Sequence, residues 1–345
     1  MKKIIYNFKV LKDFIIALAT FASMVKKIGG NVFSYFPHLF RYLKDRKTYN
    51  IKMIDYFELT YYKKTKAEKE EYLNSNEQRD FAYAIDDVKC GIDFTVKSTL
   101  YSLFKKQMGR SQLFTGSMTK DDFLNFVKEN NIFMFKPDYS WCGEGIRKID
   151  VNNYADLHTL YDELKCEVGV LDEIIVQHSE MCKLNPDTLN SIRIFSIRIN
   201  NEIRILAAAL RIGRKNVVID NYSAGGIVCS IDINTGKTID LGEDMFGKRY
   251  EKHPDSNVEL VGFKIPNWDK AIELVTEAAM ISPINYVGWD IAILENGCLL
   301  IEGNFNPMLN VVQIAGGGGK KKAFEKILQE YKETQKIQEI KQSTV

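Results

Sequence analysis

The chain has 345 residues, 45% hydrophobic and 12% aromatic, which is enough apolar material for a substantial core and predicts two or three structural units. A net charge of +2 excludes the strongly basic surface typical of nucleic-acid-binding proteins, so we expect no nucleic-acid partner. The six cysteines are scattered without a C-x-x-C pair, which excludes the usual zinc spacings and a disulfide framework.

The first 90 residues predict an all-helical region, because they are poor in Gly and Pro and repeat apolar residues at helical spacing. The spacing is followed by Phe33, Phe36, Leu39, Phe40 and Leu43. Residues 61–80 are highly charged and predict an exposed helix with a turn near residues 74–76.

A largely apolar run of twelve residues covers positions 14–25, directly after Lys12 and Asp13. The run is too short to span a bilayer. Two alternatives stay open for it. The helix packs inside the protein or in a homo-oligomer, or it lies on a membrane surface as a peripheral contact.

From about residue 96 onward, helical and strand-like segments are mixed. The predicted helices cover residues 97–108, 121–129, 153–163 and 268–282, and a C-terminal helix carries Phe324, Ile327, Leu328 and Tyr331 on one face. The predicted strands cover residues 131–136, 173–177, 191–199, 202–212 and 226–232. This pattern predicts an α+β fold behind the helical N-terminal region.

A lysine at the end of a predicted strand, Lys136, precedes a loop that contains Gly143 and Gly145. Glycines let backbone N–H groups approach phosphate oxygens, and the ammonium group adds a positive charge. The arrangement suits an anion, although such loops are common. It is not a Walker loop, which ends in Gly-Lys-Ser/Thr.

Arg193 lies in the apolar strand segment IRIF, where an unpaired charge would be costly. Either it forms a structural salt bridge, or its guanidinium group faces a phosphate or a substrate carboxylate. Arg211 and Arg214, near the end of the next strand, raise the same alternatives. The Gly-rich turn at residues 220–226 is either a tight hairpin or a substrate loop.

The segment GWDIAILENGCLLIEGNFNP, residues 288–307, predicts a β-hairpin that carries Asp290, Glu302 and Asn304. A two-residue Asn-Gly loop would pair Asp290 with Gly303 and separate the acids. A three-residue loop, with Gly297 in a left-handed bulge, would pair Asp290 with Glu302. Two facing carboxylates repel each other, so this second register predicts a site for a hard cation such as Mg²⁺.

Segments of residues 90–320 occur in an order that resembles ATP-grasp enzymes, and they are most similar to the sugar-transfer-associated ATP-grasp family. The segments are Lys97 at a helix start, FKPDYSWCGEGI at 135–146, EIIVQH at 173–178, NSIRIFS at 190–196, and DIAI with LIEGNFNP at 290–307. QHSEMCKLNPDTLNSIRIF at 177–195 and DNYSAGGI at 220–227 resemble signatures of that family.

The resemblance implies an ATP-grasp fold, in which two α+β subdomains grip ATP and Mg²⁺ between them. The implied nucleotide contacts are the phosphate lysines Lys97 and Lys136, the loop glycines Gly143 and Gly145, and the adenine-reading strand with Glu173, Val176, Gln177 and His178. The implied Mg²⁺ ligands are Asp290, Glu302 and Asn304. Arg193, Lys136 and Arg211 are the candidate catalytic residues. Trp141 and Cys142 depart from the smaller residues usual in the loop.

The resemblance also implies a function. We expect a Mg²⁺-dependent ligase that activates a carboxylate as an acylphosphate for attack by an amine, in surface polysaccharide or glycoconjugate biosynthesis. The alternatives are phosphotransfer to a sugar or other small molecule, and a non-catalytic nucleotide-binding scaffold. Cytoplasmic location, at most peripheral to the inner face of the membrane, follows from ATP use and reduced thiols. The expected domains are residues 1–90 (helical), 91–180 (lysines and glycine loop), 181–320 (metal hairpin) and 321–345 (C-terminal helix and tail).

Overall fold

Helices occupy the first third of the chain, and two antiparallel sheets follow. The computed structural model describes residues 2–140, 143–215, 222 and 225–343. Its helices are α1 (Lys2–Lys27), α2 (Val32–Tyr49), α3 (Met53–Glu58), α4 (Lys66–Glu71), α5 (Ser75–Ile85), α6 (Val88–Phe94), α7 (Lys97–Met108), α8 (Lys120–Glu129), α9 (Leu157–Lys165), α10 (Ser179–Leu184), α11 (Trp268–Ile281), α12 (Asn310–Gln313) and α13 (Lys321–Ser343). Short 3₁₀ turns cover Tyr61–Lys63 and Val151–Asn153.

The strands are β1 (Gln112–Phe114), β2 (Ile132–Pro137), β3 (Arg147–Asp150), β4 (Gly169–Glu173), β5 (Ser191–Ile199), β6 (Glu202–Ile212), β7 (Ile227–Asp232), β8 (Lys237–Thr238), β9 (Gly242–Glu243), β10 (Arg249–Tyr250), β11 (Tyr286–Leu294) and β12 (Gly297–Asn304). The predicted α+β fold with a helical N-terminal region is therefore confirmed.

Polar caps start several of these helices where the sequence changes from turn to helix. Asn31 caps α2, Thr65 caps α4 and Asn74 caps α5, each in a reciprocal capping box with the residue three positions later. The exposed helix predicted over residues 61–80 is interrupted close to the turn predicted at residues 74–76, because Asn74 caps a new helix. It is also divided at Thr65, which was not predicted and which separates a 3₁₀ turn from α4.

The smaller sheet has the order β1-β4-β2-β3, and α8 and α9 pack against it around Phe123, Phe133 and Leu171. The strand predicted over residues 173–177 was wrong. β4 ends at Glu173, because Val170 and Leu171 are the buried residues that pair with β1 and β2. The predicted helix 153–163 starts later, at Leu157, because the Asp156 carboxylate caps it.

The larger sheet has the order β10-β9-β7-β6-β5-β11-β12, with β8 paired to β7. Helices α7 and α11 cover one face, where Trp289 and Ile291 are fully buried. On the other face, α5 and α13 pack over Phe195 and Tyr286. The apolar residues of β5 and β11 serve both faces, because both strands are central and buried on both sides.

The N-terminal helices pack on this sheet through an aromatic cluster. Phe21, Tyr42 and Tyr56 meet near Ile314, which follows α12. In the described residues no single helix is long and apolar enough to cross a membrane. Ile15–Lys27 and Val32–Tyr49 pass that test only as a pair bent by 114°.

Buried polar contacts also join the N-terminal helices to α12. Asn310 Nδ2 donates to Glu58 Oε2 at 2.6 Å, and Gln78 Nε2 donates to Asn310 Oδ1 at 2.8 Å. The backbone N–H of Leu73 donates to Gln313 Oε1 at 2.8 Å. Because buried polar groups are costly when unpaired, this network fixes the helical region on the sheet.

Candidate active site

The hairpin of β11 and β12 places Asp290 directly opposite Glu302, as the second register predicts. The predicted three-residue loop, however, is not what produces this register. The loop has two residues, Glu295 and Asn296, and a β-bulge after Asp290 shifts the register by one. Gly297 does not have the positive φ that was predicted for it. Asn267 Nδ2 donates to Leu294 O and Glu295 O at 2.8 and 3.3 Å, so contacts outside the hairpin help to shape its turn.

Two arginines hold the Asp290 carboxylate. Arg193 lies opposite Asp290 on β5 and binds it with two nitrogens, and its Nη2 lies 2.8 Å from Oδ2. Arg211 Nη1 on β6 donates to Oδ2 at 2.9 Å. Burial alone would raise the pKa of Asp290, but the two guanidinium groups lower it to about 2. Of the two alternatives for Arg193, the structure contains the salt bridge. Arg214 pairs with Asp255 at 2.7 Å.

Glu302 and Asn304 lie on the same face of β12, and Glu302 is opposite Asp290. The carboxyl groups of Glu302 and Asp290 are within hydrogen-bonding reach, and Asn304 Nδ2 lies 3.4 Å from Glu302 Oε1. Burial, followed by the charge of Asp290, raises the pKa of Glu302. A cation at this point would favour the ionised form of Glu302.

The donor set therefore fits Mg²⁺ by its chemistry, since it offers two carboxylates and an amide. No group of three or more His, Cys, Asp and Glu side chains in the described part of the chain has a metal-binding arrangement. Asp290 is also engaged by both arginines, so it would share its oxygens between them and a metal ion.

The two candidate phosphate lysines lie close together between the sheets. Lys97 Nζ donates to Ser140 Oγ at 2.9 Å, at the start of the glycine loop. Burial lowers the pKa of Lys97, as does Lys136, whereas Glu302 acts in the opposite direction. Lys136 forms a salt bridge with Asp172, a buried residue of β4.

Asp172 is a functional candidate that the sequence analysis missed. It binds Lys136, Arg110 (Nη2 to Oδ2, 3.0 Å) and Gln112 (Nε2 to Oδ1, 2.7 Å). Burial alone would raise its pKa, but Lys136 and Arg110 lower it to about 2. The available signal was an acid in the apolar run VGVLDEII, because a buried carboxylate requires cationic partners.

A narrow cleft between the two sheets brings these side chains together. Its described lining consists of Lys97, Leu100, Met108, Arg110, Gln112, Lys136, Val170, Asp172, Ile301 and Glu302. Gln112 Oε1 is buried and has no hydrogen-bond partner within the described residues. The cleft thus combines apolar walls, an open acceptor and two lysines beside an acidic hairpin.

The four residues predicted to read adenine are outside the described lining of this cleft. Val176 is 80% exposed, and Gln177 is buried and bonded to Asn190 N at 2.9 Å. The His178 side chain caps α10 by accepting from Glu180 N at 3.0 Å. Glu173 accepts a hydrogen bond from Ser111 N at 2.7 Å. This segment connects the two sheets, and none of these four residues is among the described lining of the cleft.

The glycine loop has the backbone that its sequence suggests. Gly143 and Gly145 have φ of 81° and 72°, values that favour glycine. Asp138 anchors the loop to α7 by accepting from Ser98 N at 2.7 Å. Trp141 and Cys142 lie outside the described residues. So does most of the turn at 220–226, of which Tyr222, Gly225 and Gly226 are described.

Two α+β units that enclose a cleft lined by lysines and an acidic hairpin define an ATP-grasp protein. The family model described as sugar-transfer associated ATP-grasp matches residues 157–329, half of the chain. The chain belongs to this family, which confirms the resemblance.

Solved structures with related folds were also found. The ATP-grasp ligase PsnB, complexed with a minimal precursor, is 12% identical over 71% of this chain and 64% of its own, with a TM-score of 0.46. The N5-carboxyaminoimidazole synthase from Aspergillus clavatus was solved with ADP and 5-aminoimidazole ribonucleotide. It is 10% identical over 68% of this chain and 50% of its own, with a TM-score of 0.40. The Staphylococcus aureus N5-carboxyaminoimidazole synthetase with ADP is 13% identical over 70% and 53%, with a TM-score of 0.41.

The chain thus spans 50 to 64% of the length of these three solved structures. No curated protein matches it.

Proposed function

We propose that this protein is an ATP-dependent ligase that joins a carboxylate to an amine and releases ADP and phosphate. The observation that carries the proposal is the cleft in which Lys97 and Lys136, from the N-terminal side of the grasp core, meet Glu302 of the hairpin. Two cations beside a carboxylate pair suit a polyphosphate whose charge must be neutralised during transfer.

The apolar walls of the cleft support an adenine site. Leu100, Met108, Val170 and Ile301 supply flat contact area, and Gln112 Oε1 supplies an acceptor for an amino group. We propose them in addition to the segment 173–178, which follows Asp172 of the same lining and carries the predicted adenine contacts Glu173, Val176, Gln177 and His178. Lys97 and Lys136 would then face the phosphates, and the loop with Gly143 and Gly145 would cover them.

In the proposed reaction, an oxygen of the substrate carboxylate attacks the γ-phosphorus and ADP leaves. The amine then attacks the acyl carbon and phosphate leaves, so one ATP yields one amide bond. Asp290, Glu302 and Asn304 would hold Mg²⁺, which neutralises phosphate charge. Arg193 and Arg211 lie beside this position, where a guanidinium group can stabilise charge on the transferring phosphoryl group.

The family description supports a setting in surface polysaccharide or glycoconjugate biosynthesis. We therefore propose a sugar-linked carboxylate, such as a uronic acid, and an amino compound as substrates. We propose a cytoplasmic location with peripheral association at the inner face of the membrane. The domain division proposed is residues 1–90, 91–180, 181–320 and 321–345.

The test is an ATP turnover screen over pairs of acids and amines with Mg²⁺, in which ADP and AMP are measured separately. ADP together with an amide product is the expected result. Glu302→Gln should abolish turnover and retain the thermal transition, because it removes a metal ligand's charge with little change of shape. Glu325→Gln, on the exposed surface of α13, is the matched control.

Different products would contradict the proposal in different ways. AMP and pyrophosphate would exclude the acylphosphate route, and a stable phosphorylated acceptor would indicate a phosphotransferase. ATP binding measured by calorimetry without turnover for any pair would favour the scaffold alternative. The same titration of Glu302→Gln with MgATP and with ATP alone separates loss of the metal ligand from loss of the nucleotide site.

A further inference from the structure

Helix α2 exposes large apolar side chains on the face that points away from the protein. Val32, Phe33, Phe36, Phe40 and Leu43 are all exposed, Phe33 to 89% and Phe40 to 70%. They recur at the spacing of one helix face. A surface helix normally presents polar residues there, and contiguous exposed apolar patches mark interaction sites. We call these five residues the α2 face.

The opposite side of α2 packs against the aromatic cluster of the N-terminal helices, so turning the helix to bury the α2 face would break these contacts. Tyr42 is buried against Phe21 and Tyr56, with ring centroids 5.5 and 5.6 Å away. His38 Nδ1 lies 2.9 Å from Tyr56 Oη, and Asp45 pairs with Lys69 at 2.7 Å. These inward contacts fix the rotation of the helix and keep the phenylalanines outside.

The exposed charged side chains of α2 itself are all basic. Lys44 and Lys47 are exposed at helical spacing from Phe40, while Asp45, the acid of α2, is buried on the inward side. Residues 14–44 contain no Asp or Glu. Residues 1–50 carry ten Lys or Arg against two Asp, whereas the other 295 residues carry 37 Lys or Arg against 43 Asp or Glu.

A positive end with exposed aromatic residues is complementary to an anionic bilayer surface. Apolar side chains enter the boundary between headgroups and acyl chains, and lysines meet the anionic headgroups. Helix α1 adds exposed Ile15 and Ile16 to the same end of the chain. A second copy of the chain would bring one positive region against another, which like charges oppose.

We propose that the α2 face docks the protein on an anionic lipid bilayer, with Lys44 and Lys47 as its electrostatic contacts. The docking is peripheral and uses a preformed surface. It is independent of the ligase activity and specifies how a cytoplasmic protein would be held at the inner face of the membrane.

The test is co-sedimentation of the full chain with vesicles of phosphatidylcholine alone or with added phosphatidylglycerol. Binding is expected only with phosphatidylglycerol, and it should weaken as salt is raised. The triple variant Phe33→Ser, Phe36→Ser, Phe40→Ser should lose at least about tenfold in partition coefficient, because it removes the apolar contribution. Lys44→Gln and Lys47→Gln should each lose about fivefold, the equivalent of about 1 kcal/mol per basic residue at an anionic surface.

The matched control replaces three large apolar residues exposed elsewhere, Ile239, Val261 and Ile281, by Ser, and should bind as the unmodified protein does. Circular dichroism and thermal unfolding verify that each variant is folded. Failure of the unmodified protein to bind the anionic vesicles would overturn the proposal, as would equal binding by the triple variant. A dimer seen by light scattering, abolished in the triple variant and without vesicle binding, would instead assign the α2 face to a second copy.

Discussion

Two buried aspartates have the same electrostatic arrangement on opposite sheets of the cleft. Asp172 in the smaller sheet holds Lys136 and Arg110, and Asp290 in the larger sheet holds Arg193 and Arg211. In both, cationic partners outweigh the effect of burial and lower the pKa to about 2. Each aspartate therefore positions cations beside the cleft, and its own negative charge is required for that.

Asp172→Asn should destabilise the protein by about 3–5 kcal/mol, because it leaves Arg110 and Lys136 buried without their counter-charge. Thermal and denaturant unfolding measure this loss. Because the pKa of Asp172 is lowered, its contribution is present above about pH 4 and is lost as the pH falls towards 2. Asp162→Asn, on the exposed surface of α9, should change stability little. Equal stability of the two variants would contradict this account.

At the residue scale, the sequence predicted pairs that lie on one hairpin and missed pairs that do not. The alternation of side chains along a strand was enough to place Glu302 and Asn304 together. Asp172 and Arg110 are 62 positions apart, and no local period connects them. Arg193 was recognised as needing a partner, but Asp290 was not identified as that partner, because strand order is not encoded locally.

At the scale of elements, the hairpin and the glycine loop show how backbone conformation depends on neighbours. The register of β11 and β12 was predicted, but the bulge that produces it was not. Likewise, β4 and the predicted strand 173–177 share only Glu173, because the apolar run continues past the point where the chain leaves the sheet. Helix α7 was predicted with its observed bounds, and its end has a local signal in Gly109, whereas its start has no local cap and depends on the distant Asp138.

Gly145→Ala should distort the glycine loop. Gly145 has a φ of 72°, and a Cβ atom there would lie 2.8 Å from Pro137 Cγ. The left-handed conformation alone costs an alanine about 1–2 kcal/mol. We expect a several-fold weaker affinity for ATP in calorimetry, with a melting temperature lowered by only a few degrees.

Gly297→Ala is the matched control for Gly145→Ala. Gly297 has no positive φ, and a Cβ atom there would meet nothing within 4 Å. This variant should bind ATP normally. If both variants retain full affinity, the loop does not contribute to nucleotide binding.

Glu58 of α3 should make stability depend on pH. Burial, partly offset by the Asn310 hydrogen bond, raises its pKa from 4.5 to about 7. A raised pKa means that its stabilising contribution is complete below about pH 4.5 and is lost as the pH rises through 7. Glu58→Gln should therefore raise the free energy of unfolding at pH 8 by on the order of 2 kcal/mol. At pH 5 the free energy of unfolding should change little.

Unfolding of Glu58→Gln at both pH values, beside the exposed control Glu129→Gln, measures that difference. An identical pH profile for the unmodified protein and Glu58→Gln would show that the carboxyl group does not titrate in this range.

On the scale of the whole molecule, the helical N-terminal third completes the core of the larger sheet. Leu73, Phe81 and Ile85 are buried in the same cluster as Phe195 and Tyr286. The sequence predicted helices here, but their contacts with the sheet could not be derived, because they join distant parts of the chain. The grasp core was placed by resemblance, which covered residues 90–320 and left this third unassigned.

A chain that begins at residue 91 should not fold to a stable monomer. This truncation removes α5, which covers one face of the larger sheet. It also removes Glu58 and Leu73, the hydrogen-bond partners of Asn310 and Gln313 in α12. Binding of a hydrophobic dye and loss of a cooperative thermal transition are the expected observations. A chain that ends at residue 338 should keep the transition. A stable, monomeric 91–345 fragment would show that the rest of the chain folds without the N-terminal third.

The polar network around α12 also has a consequence for the order in which the chain can fold. Its bonds join residues 231 to 252 positions apart: Gln78 with Leu309, Leu73 with Gln313, and Glu58 with Asn310. During synthesis the first helices leave the ribosome long before α12 exists, and contacts of such separation form late. Until then Glu58, Leu73 and Gln78 lack the partners that α12 supplies. Helix α12 therefore fixes α3 and α5 in place only after residues 310–313 have been made.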